Sequence, residues 1–129
     1  MSAEMAVRAA VLAVLREDVA LAAMLNGVWD GVPVKASAPF VIVGECLGAE
    51  WGTKDRAGRE VRIGLTVQDR REGGAGLADM LALADAAVKR VVVAGYEVGT
   101  VALLRSRVVR GREDGWRALV EYRVRGLGV

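Results

Sequence analysis

The sequence predicts an α+β fold: a mostly antiparallel β-sheet with two main helices packed on one face. Three observations predict it. Apolar residues recur at helical spacing near the start and again over Leu77 to Val91. Elsewhere apolar and polar residues alternate, the period of a strand with one buried face. Short polar or glycine-rich turns join those segments, and such turns make hairpins rather than crossovers. The chain is read as one domain, 1–129, and its 53% apolar content is enough for a core.

Ala3 to Leu15 reads as the first helix, with Met5, Ala9, Leu12 and Leu15 as its stripe and Val7, Val11 and Val14 widening it. Arg16-Glu17-Asp18 interrupts it. Asp18 is placed to cap a second short helix, Val19 to Leu25, by accepting its free backbone N–H groups. Asn26-Gly27 is expected to end that helix by taking left-handed angles. Val28-Trp29-Asp30 is short and extended, and Gly31, Pro33 and Pro39 punctuate the loop that follows. Pro39 to Gln68 then reads as a long twisted hairpin. Its first arm is Pro39 to Glu45, followed by Ala49 to Lys54. Its tip is the charged turn Asp55 to Gly58. In the second arm Val61, Ile63, Leu65 and Val67 alternate with Arg62, Gly64, Thr66 and Gln68.

Arg70 to Gly76 is a polar connection into the helix Leu77 to Val91. Leu77, Met80, Leu81, Ala84, Val88 and Val91 share one face. Asp85 and Lys89, acid before base at four residues, add about 0.2–0.5 kcal/mol. Gly95 is expected as the C-cap. Val98 to Arg110 is a long strand whose imperfect alternation predicts a bulge. Gly111 to Gly115 is a hairpin loop. Trp116, Ala118, Val120, Tyr122 and Val124 then alternate with Arg117, Leu119, Glu121, Arg123 and Arg125. The tail, Gly126 to Val129, is expected to fray.

Little in the chain is catalytic. The absence of histidine removes Ser-His-Asp and Cys-His constellations and His-containing zinc sites. Cys46, the only cysteine, lies in an apolar strand and reads as a buried, inert thiol. Glu45 and Glu50 flank a strand end with no partner for acid–base work. Gly73 to Gly76 precedes a helix, but a phosphate loop needs a Lys and a Ser or Thr where this chain has Leu77-Ala78-Asp79. The expectation is a protein that is not an enzyme and takes no cofactor or metal. Met1 to Val14 is broken by Glu4 and Arg8, so it is neither a secretory signal nor a membrane span. Synthesis inside the cell and no membrane partner are expected.

The basic residues carry more information. A net charge of +2 does not demand a nucleic-acid partner, but fifteen of the eighteen cations are arginine. Arg105, Arg107, Arg110, Arg112, Arg117, Arg123 and Arg125 concentrate in the last hairpin, interleaved with Trp116 and Tyr122. Because these aromatics alternate with Arg117, Arg123 and Arg125, they belong on the opposite side of the sheet, in the core. The arginines then face solvent, a neighbouring subunit or a channel. Leu119 is the apolar exception among them, a hint of burial against another chain. Trp29 and Trp51 stand at element ends, as core-edge or interface anchors.

Several short motifs, taken in order, resemble a known family. They are Leu15-Arg16-Glu17-Asp18-Val19-Ala20-Leu21, Val28-Trp29-Asp30, Val32-Pro33 and Ala38 to Glu45, then Trp51-Gly52-Thr53-Lys54 and Gly58-Arg59-Glu60. The Leu77 to Val91 helix and Asp114-Gly115-Trp116 complete the set. The chain resembles the tail terminator or tail-completion proteins of long-tailed phages, especially those of prophages and gene transfer agents. Val67-Gln68-Asp69-Arg70 departs from the pattern, where such proteins often carry an aromatic residue.

The resemblance implies a structural virion protein. It would form a ring, commonly a hexamer, at the head-proximal end of the tail tube, end tube polymerisation and offer the capsid-joining surface. The implied partners are copies of itself, the tail tube protein and a head-completion or connector protein, with DNA only passing through the lumen. The implied location is the cytoplasm during assembly and then the virion tail. Trp51, Lys54, Asp55, Arg56, Arg59, Arg112, Arg117, Leu119 and Arg123 are the expected subunit, tube or head contacts, and arginines of the last hairpin pair with acids such as Glu50, Asp55 or Asp69 across subunits. The alternative is a nucleic-acid-binding module that uses the arginine-rich C-terminal hairpin.

Overall fold

The computed structural model describes residues 2–71, 73–113 and 115–129. Two helices open the chain, α1 (Ala3–Glu17) and α2 (Val19–Met24), followed by β1 (Gly27–Asp30), β2 (Phe40–Glu50) and β3 (Gly58–Asp69). Then come α3 (Ala75–Lys89), β4 (Tyr96–Arg110) and β5 (Trp116–Gly128). The strands form one sheet in the order β1-β2-β3-β5-β4, antiparallel except for the parallel β1–β2 pair. The fold is α+β, as the alternation and hairpin turns predicted.

One face of the sheet is covered by helices. Val41, Val43, Val61, Ile63, Leu65, Val67, Ala118, Val120, Tyr122 and Val124 are buried there against α1 and α3. The alternating partners of these residues stand on the opposite, uncovered face. The sequence rule for β3 and β5 therefore held, because a two-residue period with one side buried leaves no other register.

The helical stripe of α1 differs from the expected one. Ala3, Ala6, Val7, Val11, Leu12 and Leu15 are buried, whereas Met5 is 54% exposed and Ala9 also faces outward. The apolar residues of this helix are so frequent that two stripes fit the period, and packing on the sheet selects the one through Val7 and Val11. Asp18 caps α2 as expected, accepting from the Leu21 N–H at 2.9 Å. Asn26-Gly27 does not take left-handed angles. The helix ends on an extended Leu25, and Asn26 Nδ2 donates to the Ser37 and Ala38 carbonyls instead.

Gly95 is not the cap of α3. Arg90 holds that position, and the φ of +83° at Gly95 serves the turn into β4. Buried Val91 and Val93 anchor the intervening stretch to the core. β4 carries the expected irregularity twice, at Val98/Thr100 and Leu103/Arg105. β2 also has a bulge, between Val43 and Cys46, and runs on as one strand to Glu50. Cys46 is only partly buried there. Burial raises its thiol pKa, against the lowering effect of Arg8, whose Nη1 lies 3.7 Å from the sulfur. The tail does not fray. β5 continues to Gly128, the Gly128 N–H reaches the Ala57 carbonyl at 2.8 Å, and Val129 reaches Gly95 at 3.2 Å. Pairing on both sides by β3 and β4 is what holds it.

Candidate assembly interface

The β2–β3 hairpin does not project as a free arm. At its base the Trp51 N–H meets the Gly58 carbonyl at 3.0 Å, and inside the turn the Thr53 N–H meets the Arg56 carbonyl at 2.9 Å. Arg56 draws the turn onto the sheet end by donating to the Gly128 carbonyl at 2.9 Å and to Glu97 at 3.2 Å. Arg59 is turned toward the helical side, where it pairs with Glu4 of α1 at 2.5 Å and donates to the Ala49 carbonyl at 3.2 Å. Lys54 and Asp55 remain exposed at the tip.

Arg112 lies at the other end of the molecule, in the β4–β5 connection. The register places Gly58 against Leu127 and Asp69 against Trp116, so β3 spans the sheet from the first loop to the second. Twelve residues of strand separate the two loops, roughly 35–40 Å. Asp114, part of the expected closing motif, lies outside the described residues, as does Glu72 of the Arg70 to Gly76 connection. Arg117 and Leu119 stand on the uncovered sheet face near this second end, Leu119 being 41% exposed. With Gly44, Gly64, Thr66, Arg105 and Arg107, Leu119 borders a shallow groove of about 420 Å³.

Arg123 and Trp51 come together at the first end. On the uncovered face Arg62, Arg123 and Arg125 converge on Glu60, with nitrogens 3.9, 3.8 and 3.9 Å from the same Oε1. Arg125 lies over the Trp51 ring, 5.4 Å from its centroid, a cation–π contact. Sequence reasoning missed Glu60 and Arg62 as part of this group. Their alternation with Val61 and Ile63 marked them as outward-facing, but only the β3–β5 register sets them beside Arg123 and Arg125.

Two other sequence readings are resolved here. Asp69 is fully buried and paired with Arg71 at 3.0 Å, so it is not available to a neighbour's arginine. Its carboxylate also abuts the start of α3: a Cβ added at Gly76 would lie 2.6 Å from Asp69 Oδ2. The glycine-rich approach to that helix is therefore occupied by an internal acid, not open to a phosphate. Glu45 lies in the β2 bulge and Glu50 is the last residue of that strand; both are exposed and they border different grooves. Among the described residues no group of three acids or sulfur ligands is placed to hold a metal. Among the described residues no helix is long and apolar enough to cross a membrane.

The helices cover one face of the sheet and leave the other face and the two loop ends open. Residues 9–126 match the family described as tail completion protein gp17.

The chain belongs to the tail completion protein gp17 family.

A chain in the virion of a native gene transfer agent particle superposes with a TM-score of 0.82 at 28% identity, covering 99% of this chain and all of that one. The gp17 protein of bacteriophage SPP1 shares the fold at TM-score 0.64 and 16% identity, covering 98% of this chain and 91% of that one. No curated protein matches it. The tail completion family is structural and is not a class of enzymes. The role of this chain is accordingly that of a structural component of a phage-like tail, in a virion or gene-transfer-agent particle.

Proposed function

We propose that this tail completion protein forms a ring at the head-proximal end of the tail tube, stops tube polymerisation there and presents the surface to which the DNA-filled head attaches. The single observation that carries the reading is the likeness to a gene-transfer-agent virion chain over 99% of this chain. The placement of the candidate residues supports it. A ring that joins two cylinders needs contacts at two opposite ends, and the Trp51 to Arg59 loop and the Arg112 loop occupy the two ends of the sheet. Copies would meet through two different surfaces in a heterologous contact that closes after a fixed rotation, and six is the number that the resemblance to tail terminators implies. Assembly takes place in the cytoplasm, and DNA crosses the lumen without being read.

Deletion of the gene, followed by electron microscopy of the particles, tests this. The expected result is tails of irregular, excessive length that are detached from capsids. Normal-length tails joined to full heads would end the proposal. Arg107 and Arg117 face outward with no ion pair among the described residues, and Arg105 is 80% exposed beside Glu121, so the nucleic-acid reading makes its own prediction. Nanomolar, sequence-dependent duplex binding at physiological salt would favour it over the ring.

A further inference from the structure

The sheet has two open edges, and they match. On one side β4 is the last strand, with β5 alone beside it. On the other side β1 pairs only with Phe40–Val43 of β2, so among the described residues no strand lies along the outer side of Cys46–Ala49. An open edge is a template for pairing with another chain unless it is covered or charged. None of Cys46–Ala49 and none of Thr100–Leu103 is charged. Neither stretch is covered. Leu103 pairs with buried Tyr122 and so lies on the helical side, yet it is 44% exposed, because the helical layer stops short of β4. Leu47 is 55% exposed on the bare face. The two stretches also stand at the same height. Across the ladders Cys46 is in line with Ile63, Tyr122 and Leu103, and Ala49 with Glu60, Arg125 and Thr100. Thr100–Leu103 is the regular stretch between the two bulges of β4, and Cys46–Ala49 begins at the bulge of β2.

We propose that Thr100–Leu103 of one copy pairs antiparallel with Cys46–Ala49 of a second copy, so that the sheet runs unbroken from copy to copy. This rests on the ring reading above: copies related by rotation about an axis along the strands keep one height and one strand direction. Three antiparallel steps separate β2 from β4, so the two strands run in opposite directions, as the pairing requires. The new ladder is four residues long, like the β1–β2 ladder, and fills the lane that β1 leaves vacant. The flanking charges identify the second copy as the occupant. Arg105, exposed on the bare face, is in line with Glu121, Gly64 and the β2 bulge that holds Glu45. Glu45 is exposed with no ion pair among the described residues, so each junction sets an acid beside a base. On the helical side Leu103 comes beside Cys46, where Arg8 of α1 already lies 3.7 Å from the sulfur, and gains the cover it lacks. The Ala49 carbonyl accepts from Arg59 at 3.2 Å and has a second lone pair for the ladder. A strand of another protein has no such built-in agreement of height, direction and charge.

Native Cys46 is the probe. Within one copy it stands three strand spacings from Leu103, roughly 14 Å, too far for a disulfide. Opposed residues on adjacent antiparallel strands are only about 4.5–5.5 Å apart. Assembled tails carrying L103C, once oxidised, should therefore give a ladder of covalent multimers above the dimer on non-reducing gels. Wild type and C46S/L103C have one cysteine per chain and should stop at the dimer. C46S/L47C/A102C probes the same register from the bare face and should give the same ladder, and melting curves matching the wild type verify that the variants fold. Rings present in tails with neither cysteine pair cross-linked overturn the pairing and leave the ring standing. L103C cross-linking to a tube or head protein, with no ladder, overturns it in favour of that protein's strand. Tails that carry no ring of this protein remove both.

Discussion

Single residues set how the layers are locked together. Arg8 of α1 is 16% exposed and reaches the bulge of β2, donating to the Val43 carbonyl at 2.7 Å, to the Gly44 carbonyl and to Asp30. One guanidinium thus fastens α1 to two strands at the point where β2 leaves its ladder. Arg8→Ala should lower stability by about 1.5–3 kcal/mol in urea unfolding, because carbonyls that had a charged donor lose it. In the sequence Arg8 is only a break in an apolar run. Its partners come from 22 and more residues away, so nothing local announces them.

Tyr122 is the corresponding link between β5 and α3, its hydroxyl donating to Asp85 at 2.8 Å. Burial, then the bond to Asp85, raises the phenol above its ordinary value of 10.0. The folded chain therefore holds that proton more tightly than the unfolded chain, so the stability it contributes is full below about pH 10 and falls as the solution becomes more alkaline. Asp85 behaves oppositely. Burial resists its ionisation, but the bonds to Lys89 and Tyr122 hold its carboxyl below 3.8, so its contribution is present above about pH 4 and is lost as pH falls. Melting temperatures measured from pH 8 to 11 should decline in the wild type. Tyr122→Phe should start lower, by about 1–2 kcal/mol, and lose part of that alkaline decline.

At the scale of the element, the strands were more legible than the turns. The alternation in β3 and β5 assigns each side chain to a face without ambiguity, since a slip of one residue would expose every valine at once. The Asp18 cap was legible for a similar reason: the donor it satisfies lies three residues away. Turn geometry was not. Gly95, Asn26 and the tail all depend on which strand lies alongside.

The hairpin base shows this most directly. A Cβ on Gly58 would stand 1.8 Å from the Trp51 carbonyl oxygen and 2.9 Å from that of Gly126. Both are backbone atoms that are tied in place, Gly126 in the β3–β5 ladder and Trp51 by its N–H bond to the Gly58 carbonyl. Gly58→Ala should cost about 1–3 kcal/mol or more by overpacking. Hydrogen exchange should show the Trp51 amide losing protection before the core of β3 does. Unchanged protection at Trp51 would mean that the loop base tolerates the extra atom.

For the whole molecule, the decisive property is that only one sheet face is covered. Leu119, 41% exposed on the bare face, contributes little to the core. Leu119→Asp should leave the melting temperature within a few degrees of wild type while reducing ring formation and tail completion. A variant that assembles normally would place Leu119 outside any contact.

What the sequence determined by itself was periodic or local: the fold class, the faces of β3 and β5, the Asp18 cap, the Asp85–Lys89 pair and, through motifs in order, the family. Tertiary structure decided what depends on register between distant segments. It set Glu60 and Arg62 beside Arg123 and Arg125, closed the Asp69 acid into the core, tied the tail to Ala57 and Gly95, and sent the two loops to opposite ends. The physical reason is the range of the forces. Hydrophobic alternation and capping act within a few residues, whereas a pair formed across 60 residues exists only after the strands have chosen their neighbours.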